Sequence, residues 1–134
     1  MKTSRVVWAL LVLAGATIVV SQAQNPPAQH NYKYEIASQQ TVEGIVSDTR
    51  DYSCPVSGAL GAHIIIKTVG SEIEAHLAPV TFLKQYDINI HKGDRVIVVG
   101  SRIMYDGKPA LIARTVTIAQ DTYSFRDDKG RPLW

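Results

Sequence analysis

Beyond residue 40 the chain alternates apolar and polar residues with a period of two, and glycine, proline and aspartate clusters break the alternation at intervals. Thr41–Arg50 reads as a strand with Gly44 inside it, as suits a strongly bent strand. Asp51–Ala62, rich in Pro, Ser and Gly, reads as a loop. His63–Val69 and Glu72–Ala78 flank Gly70-Ser71 and form a hairpin. The spacing then changes. Val80, Leu83 and the Phe82–Tyr86 pair recur at helical intervals, and Pro79 suits a first helical position, so Pro79–Tyr86 is a short helix. Arg95–Tyr105 and Pro109–Ile118 are strands joined at Asp106-Gly107, a strong hairpin-turn signal. In the tail, Asp121–Trp134, a short strand runs to Phe125, a turn follows at Asp128-Lys129-Gly130, and the chain ends Pro132-Leu133-Trp134.

Three strands, one short helix and two more strands is the order of a five-stranded OB-fold-like barrel, with the helix between strands three and four. The expected class is therefore all-β, with the barrel over 41–120 and a hairpin-like tail over 121–134 packed on it. Closure removes the exposed edges of short antiparallel strands; an open sandwich or an incomplete barrel of another topology is the alternative. The polar stretch 24–40, with Pro26-Pro27, reads as a flexible lead-in.

The first hairpin can be taken to single residues. With Gly70-Ser71 as a two-residue turn, Ile64 faces Leu77, Ile66 faces Ala75 and Thr68 faces Ile73 on the inner side. On the outer side Lys67 faces Glu74, and His63 and His76 become diagonal neighbours about 8 Å apart or less.

The first residues carry a different signal. Lys2 and Arg5 precede an apolar run, Val6 to Val20, which ends at Ser21-Gln22-Ala23. Basic, apolar, then small is the order of a signal peptide over 1–23, cut after Ala23. The run is short of the roughly 20 residues that span a bilayer, although an uncleaved anchor is the alternative. Export to the periplasm or beyond is the expectation, with membrane contact only through that segment. The whole chain has 14 Lys+Arg against 12 Asp+Glu, so losing Lys2 and Arg5 brings the two into balance. A neutral chain with interleaved charges argues against nucleic acid, which is gripped through a cationic surplus.

Cys54 is the one cysteine, which excludes an intramolecular disulfide. Two imidazoles at the separation of His63 and His76 can converge on one ion, and Cys54, in the adjoining loop, can supply a third ligand for copper or zinc. Solvated histidines and a buried loop thiol are the plain alternative. Lys67, Tyr52 and Arg114 complete the candidate ligand-binding face. Tyr52, Tyr86 and Tyr105 are either stacking platforms or rim packing. Alternation places Arg114 inside, so either a bulge turns it outward or a carboxylate such as Glu43 holds it, and the ion pair is the expectation. His30 and His91 are weak ligand candidates. With no nucleophile elbow and no paired carboxylates in a predicted pocket, the chain reads as a non-enzymatic binding module for an envelope ligand or protein partner.

Several stretches support a resemblance. They are Thr41-Val-Glu-Gly-Ile-Val, Gly61-Ala-His63-Ile, Glu74-Ala-His76-Leu-Ala-Pro79, Lys92-Gly-Asp94-Arg-Val-x-Val-x-Gly100, Leu111-Ile-Ala-Arg114, and Phe125-Arg-Asp-x-x-Gly-x-Pro-Leu-Trp134. Together they resemble small exported bacterial OB-fold proteins, a largely uncharacterised group often labelled nucleic-acid-binding by fold analogy. The resemblance implies the barrel and a binding role; it names no ligand.

Overall fold

The computed structural model describes residues 32–134. The expected signal segment, 1–23, and the lead-in before Tyr32 lie outside the described residues. The strands are β1 (Gln39–Cys54), β2 (Ala59–Lys67), β3 (Glu72–Pro79), β4 (Arg95–Tyr105), β5 (Lys108–Ile118) and β6 (Asp121–Ser124). One helix, α1 (Val80–Gln85), lies between β3 and β4, and a single 3-10 turn, Ile36–Ser38, precedes β1. β1 pairs antiparallel with β4 along its first half and with β2 along its second. The β2–β3 and β4–β5 pairs are also antiparallel. β3 then meets β5 in parallel over three residue pairs, Glu74–Ala110 to His76–Ile112, and the sheet closes on itself. The protein is thus all-β, a ring-like sheet with the expected strand order and helix position. β6 adds a sixth strand beside the end of β5.

β1 serves two neighbours because it bends. Gly44 lies where the backbone passes so close to Lys67 and Ile66 that no Cβ fits. A bulge between Val46 and Asp48 follows, and Val46 exchanges both backbone hydrogen bonds with the Lys92–Asp94 turn at 2.8 Å. Inside the ring lie Val46, Ile64, Ile66, Ala75, Leu77, Val96, Val98, Leu111, Ala113 and Val116. Phe82 from α1, with Ile88 and Phe125, closes one end. The helix is as expected to within a residue at each end, Pro79 standing just before it.

Four expectations need correction. The segment Asp51–Ala62 is not a long loop. β1 runs on to Cys54, β2 begins at Ala59, and Pro55–Gly58 alone makes the turn. Cross-strand pairing from Asp51–Ala62 to Cys54–Ala59 satisfies backbone groups that a loop would leave to water.

The β2–β3 hairpin has a four-residue connection, Thr68–Ser71, in which Thr68 N–H and Oγ both donate to the Ser71 carbonyl. The register is therefore two residues from the one expected. Ile64 faces Ala75, Ile66 faces Ile73, and Lys67 faces Glu72 instead of Glu74. A slip of two keeps every side chain on its face, so the core assignment survived the wrong turn.

Arg114 is not held inside by Glu43. The β4–β5 register shifts between Val99 and Gly100, leaving Arg114 as the extra residue of a bulge on β5. The bulge moves the inward series from Leu111 and Ala113 to Val116, and Glu43 instead lies 3.9 Å from Arg95.

The described end of the lead-in is ordered. Glu35 N–H donates to Ser101 Oγ at 2.9 Å, Ser38 Oγ lies 2.8 Å from the same buried hydroxyl, and Tyr32 packs on Tyr105 with ring centroids 5.0 Å apart.

Candidate functional site

The alternation that puts Ile64 and Ile66 inside the ring puts His63 outside it, and the same holds for Ala75 and His76 on β3. The true register sets His63 and His76 directly opposite each other, with ring centroids 4.6 Å apart, edge to face. They were expected on a solvated face; both are instead buried, at 2% exposure. The cover comes from the segment first read as loop. The extended end of β1 lays Tyr52 flat on the His63 ring, with centroids 3.8 Å apart and planes at 7°. Tyr105, from the β4–β5 hairpin, packs against His76 at 4.4 Å. Cys54, the last residue of β1, is buried with its Sγ 3.3 Å from His76 Nδ1.

One ligand atom from each of Cys54, His63 and His76 lies within 4.8 Å of the other two. An ion about 2.0–2.1 Å from nitrogen and about 2.3 Å from sulfur holds those atoms roughly 3.3–3.8 Å apart, so the three need to draw together from within 4.8 Å to share one centre. Room for the cluster comes from Gly61. A Cβ there would stand 2.6 Å from Ser57 Oγ, 3.1 Å from His63 Cε1 and 3.2 Å from Cys54 Cβ.

The electrostatics favour neutral imidazoles. Burial pushes the His76 pKa down to about 3, with a smaller push from His63, and burial also lowers that of His63. Neutral imidazole is the ligating form. His63 Nδ1 lies 3.3 Å from the Arg50 carbonyl. A carbonyl only accepts, so Nδ1 carries the proton and Nε2 keeps a lone pair, the usual arrangement of a metal-binding histidine. His76 is different. Its Nδ1 is taken by Cys54, and its Nε2 is buried with no hydrogen-bond partner. A fully buried polar atom without a partner costs about 1–3 kcal/mol, and Arg114 Nε and Arg126 Nε are in the same state; the nitrogen of His76 that faces Cys54 is Nδ1.

Tyr52 Oη donates to Glu74 Oε1 at 2.6 Å, a bond that occupies the carboxylate expected to pair with Lys67. Burial and this bond raise the Tyr52 pKa well above its ordinary value. Tyr52 thus belongs to the site as a wall. Lys67 is exposed at the far end of β2 and does not join it. Arg114 lies elsewhere, beside the tail, where its carbonyl accepts from Phe125 N–H at 2.8 Å. Tyr86 is exposed and packs on Phe82, away from the cluster. His91 is also exposed, near Asp94, and His30 lies outside the described residues. Sequence reasoning missed Gly61, and it took Tyr105 for a general packing or stacking residue. A strand alternation carried past Arg50, with Pro55–Gly58 as the turn, would have put Tyr52, Cys54 and Gly61 on the histidine face.

A ring-like β-sheet bearing two buried imidazoles and a thiol on its outer surface defines a class: a small all-β protein with a candidate soft-metal cluster. The chain belongs to the MamS/MamX magnetosome protein family, whose model matches residues 38–123. That stretch contains all five strands of the ring and every residue of the cluster. No curated protein matches the chain.

Proposed function

We propose that this protein is a non-enzymatic metal-binding module, exported to the cell envelope and associated with the magnetosome, that holds one copper or zinc ion between Cys54, His63 and His76. The observation that carries the reading is the convergence of three buried side chains: one ligand atom from each of Cys54, His63 and His76 lies within 4.8 Å of the other two, with Cys54 Sγ 3.3 Å from His76 Nδ1. Burial keeps the His76 imidazole neutral, which is the ligating form. The family supports a magnetosome setting. The basic, apolar and small order of residues 2–23 supports export. The OB-fold reading of the ring fits a binding role on the outer face of strands two and three, though fold alone does not fix function.

A protein partner docking beside the cluster is the second reading. A groove of about 530 Å³ opens there, lined by Arg50, Ile65, Glu74, Tyr105, Lys108 and Pro109 among others. Its mixed charges suit a polypeptide better than a polyanion, in line with the charge balance that disfavours nucleic acid.

Native mass spectrometry after separate anaerobic loading with Zn(II) and with Cu(I) tests the metal reading. One ion per chain with at least one of the two metals is expected. A folded protein that retains neither would overturn it.

A further inference from the structure

We propose that the ion is copper, held in three-coordination by the Cys54 thiolate and the two imidazoles, and that the centre exchanges single electrons. The inference rests on the metal-binding reading and adds the choice of metal and its chemistry. Three observations carry it.

The first is the ligand count. Protein zinc sites are almost always four-coordinate, with a fourth protein ligand in structural sites and a water in catalytic ones. Among the described residues only Cys54, His63 and His76 converge. The nearby carboxylate, Glu74, is engaged by the Tyr52 hydroxyl at 2.6 Å. One thiolate and two imidazoles in a trigonal set is the arrangement of copper electron-transfer sites.

The second is dryness. Cys54, His63 and His76 are each 2% exposed. Tyr52 covers His63 face to face and Tyr105 covers His76 edge-on, so aromatic rings stand between both imidazoles and bulk water. A thiolate with two neutral imidazoles carries one negative charge, and Cu(I) cancels it. Zn(II) and Cu(II) both leave a net positive charge in this buried site, so Cu(I) is the resting state that its burial favours.

The third is rigidity with access. The histidines are fixed on paired strands by a cross-strand contact and by the Arg50 carbonyl, so their positions need not change with the charge of the ion. Reduction is Cu(II) plus one electron to Cu(I). No protein bond forms or breaks and no proton moves. The electron comes from a small one-electron donor such as ascorbate. The half-buried Tyr105 ring, 4.4 Å from His76, connects the centre to the surface.

The test uses the full chain, loaded anaerobically with Cu(I) and then challenged with a large excess of Zn(II). One copper per chain should survive, and X-ray absorption at the copper edge should show one sulfur and two nitrogens. A one-electron oxidant should then produce an intense visible thiolate-to-copper charge-transfer band, which ascorbate bleaches. Cys54→Ser should abolish the band and weaken Cu(I) binding by about 100-fold or more, at least as much as losing a hydrogen-bond partner of a metal ligand costs. The absorption measurement on the unaltered protein stands even if that variant misfolds. Displacement of copper by zinc, or a copper shell without sulfur, would overturn the copper assignment while leaving the metal reading intact. Oxidation without a charge-transfer band would overturn the electron-exchange role. Failure to retain either metal removes both readings.

Discussion

Cys54 Sγ and His76 Nδ1 lie 3.3 Å apart, although 22 residues separate them and neither touches solvent. Either the thiol donates to the ring or the ring donates to sulfur; both arrangements strand Nε2 in a dry site. The contact exists because β1 runs four residues beyond Arg50 and brings its last side chain over the histidine pair.

This burial makes stability depend on pH. The unfolded His76 takes up a proton near its ordinary value of about 6.5, while the folded one resists down to about 3. The folded state therefore binds fewer protons between those values. Its stability is complete above about pH 6.5, declines as pH falls, and levels off below about 3. His76 alone should cost about 2 kcal/mol by pH 5, and His63, shifted the same way, adds to the loss. Urea denaturation of metal-free protein at pH 7 and pH 5 checks this, and equal midpoints would mean that the histidines are not buried. Bound metal should flatten the dependence above pH 6 and be released in acid.

Gly61 is expected to tolerate no side chain. Ser57 can rotate away from an added methyl, but His63 Cε1 and Cys54 Cβ belong to packed strands. Gly61→Ala should lower stability by about 1–3 kcal/mol and reduce metal affinity measurably in the same preparation. Unchanged affinity, measured by competition with a chromophoric chelator, would show that the glycine is incidental to the cluster.

The two faces of β2 should respond in opposite ways to truncation. Ile66 is fully buried in the ring, so Ile66→Ala should cost about 2–5 kcal/mol. Its neighbour Lys67 is exposed, and Lys67→Ala should stay within about 0.5 kcal/mol. Comparable losses from the two would contradict the register.

The tail should behave as a latch. Leu133 N–H donates to the Phe125 carbonyl at 3.1 Å, and Trp134 lies 5.9 Å from the Phe82 ring. The Arg126 guanidinium sits 4.8 Å over the indole. Trp134 remains 38% exposed, so deleting Leu133 and Trp134 should cost about 1–2 kcal/mol, less than full aromatic burial would give. A thermal shift near zero, with loss of a co-purifying protein, would point to a recognition tag instead.

Export is checked independently of the fold. Sequencing the envelope-associated protein from its N-terminus should start at Gln24. Intact Met1 on cytosolic protein would refute it.

Hydrophobic periodicity, two in the strands and helical at Val80–Tyr86, was enough to establish the strands, the helix between β3 and β4, the inner and outer faces of the first hairpin, and the membership of Ile64, Ile66 and Leu77 in the core. Those features depend on local geometry and on which side chains water rejects. It also placed His63 and His76 on one face, because a register error of two residues does not change faces. It did not show that this outer face is buried. Burial there comes from segments distant in sequence. The end of β1 was hidden by the turn residues Pro55, Ser57 and Gly58, and Tyr105 sits at the tip of a different hairpin. Arg114 likewise left its expected side through a bulge, the extra residue on β5 where the β4–β5 register shifts between Val99 and Gly100. Hydrophobic pattern reports whether a face meets the interior. Whether polar residues on the outer face are roofed by their own chain depends on how the closed sheet brings distant strand ends together, and only the tertiary structure decides that.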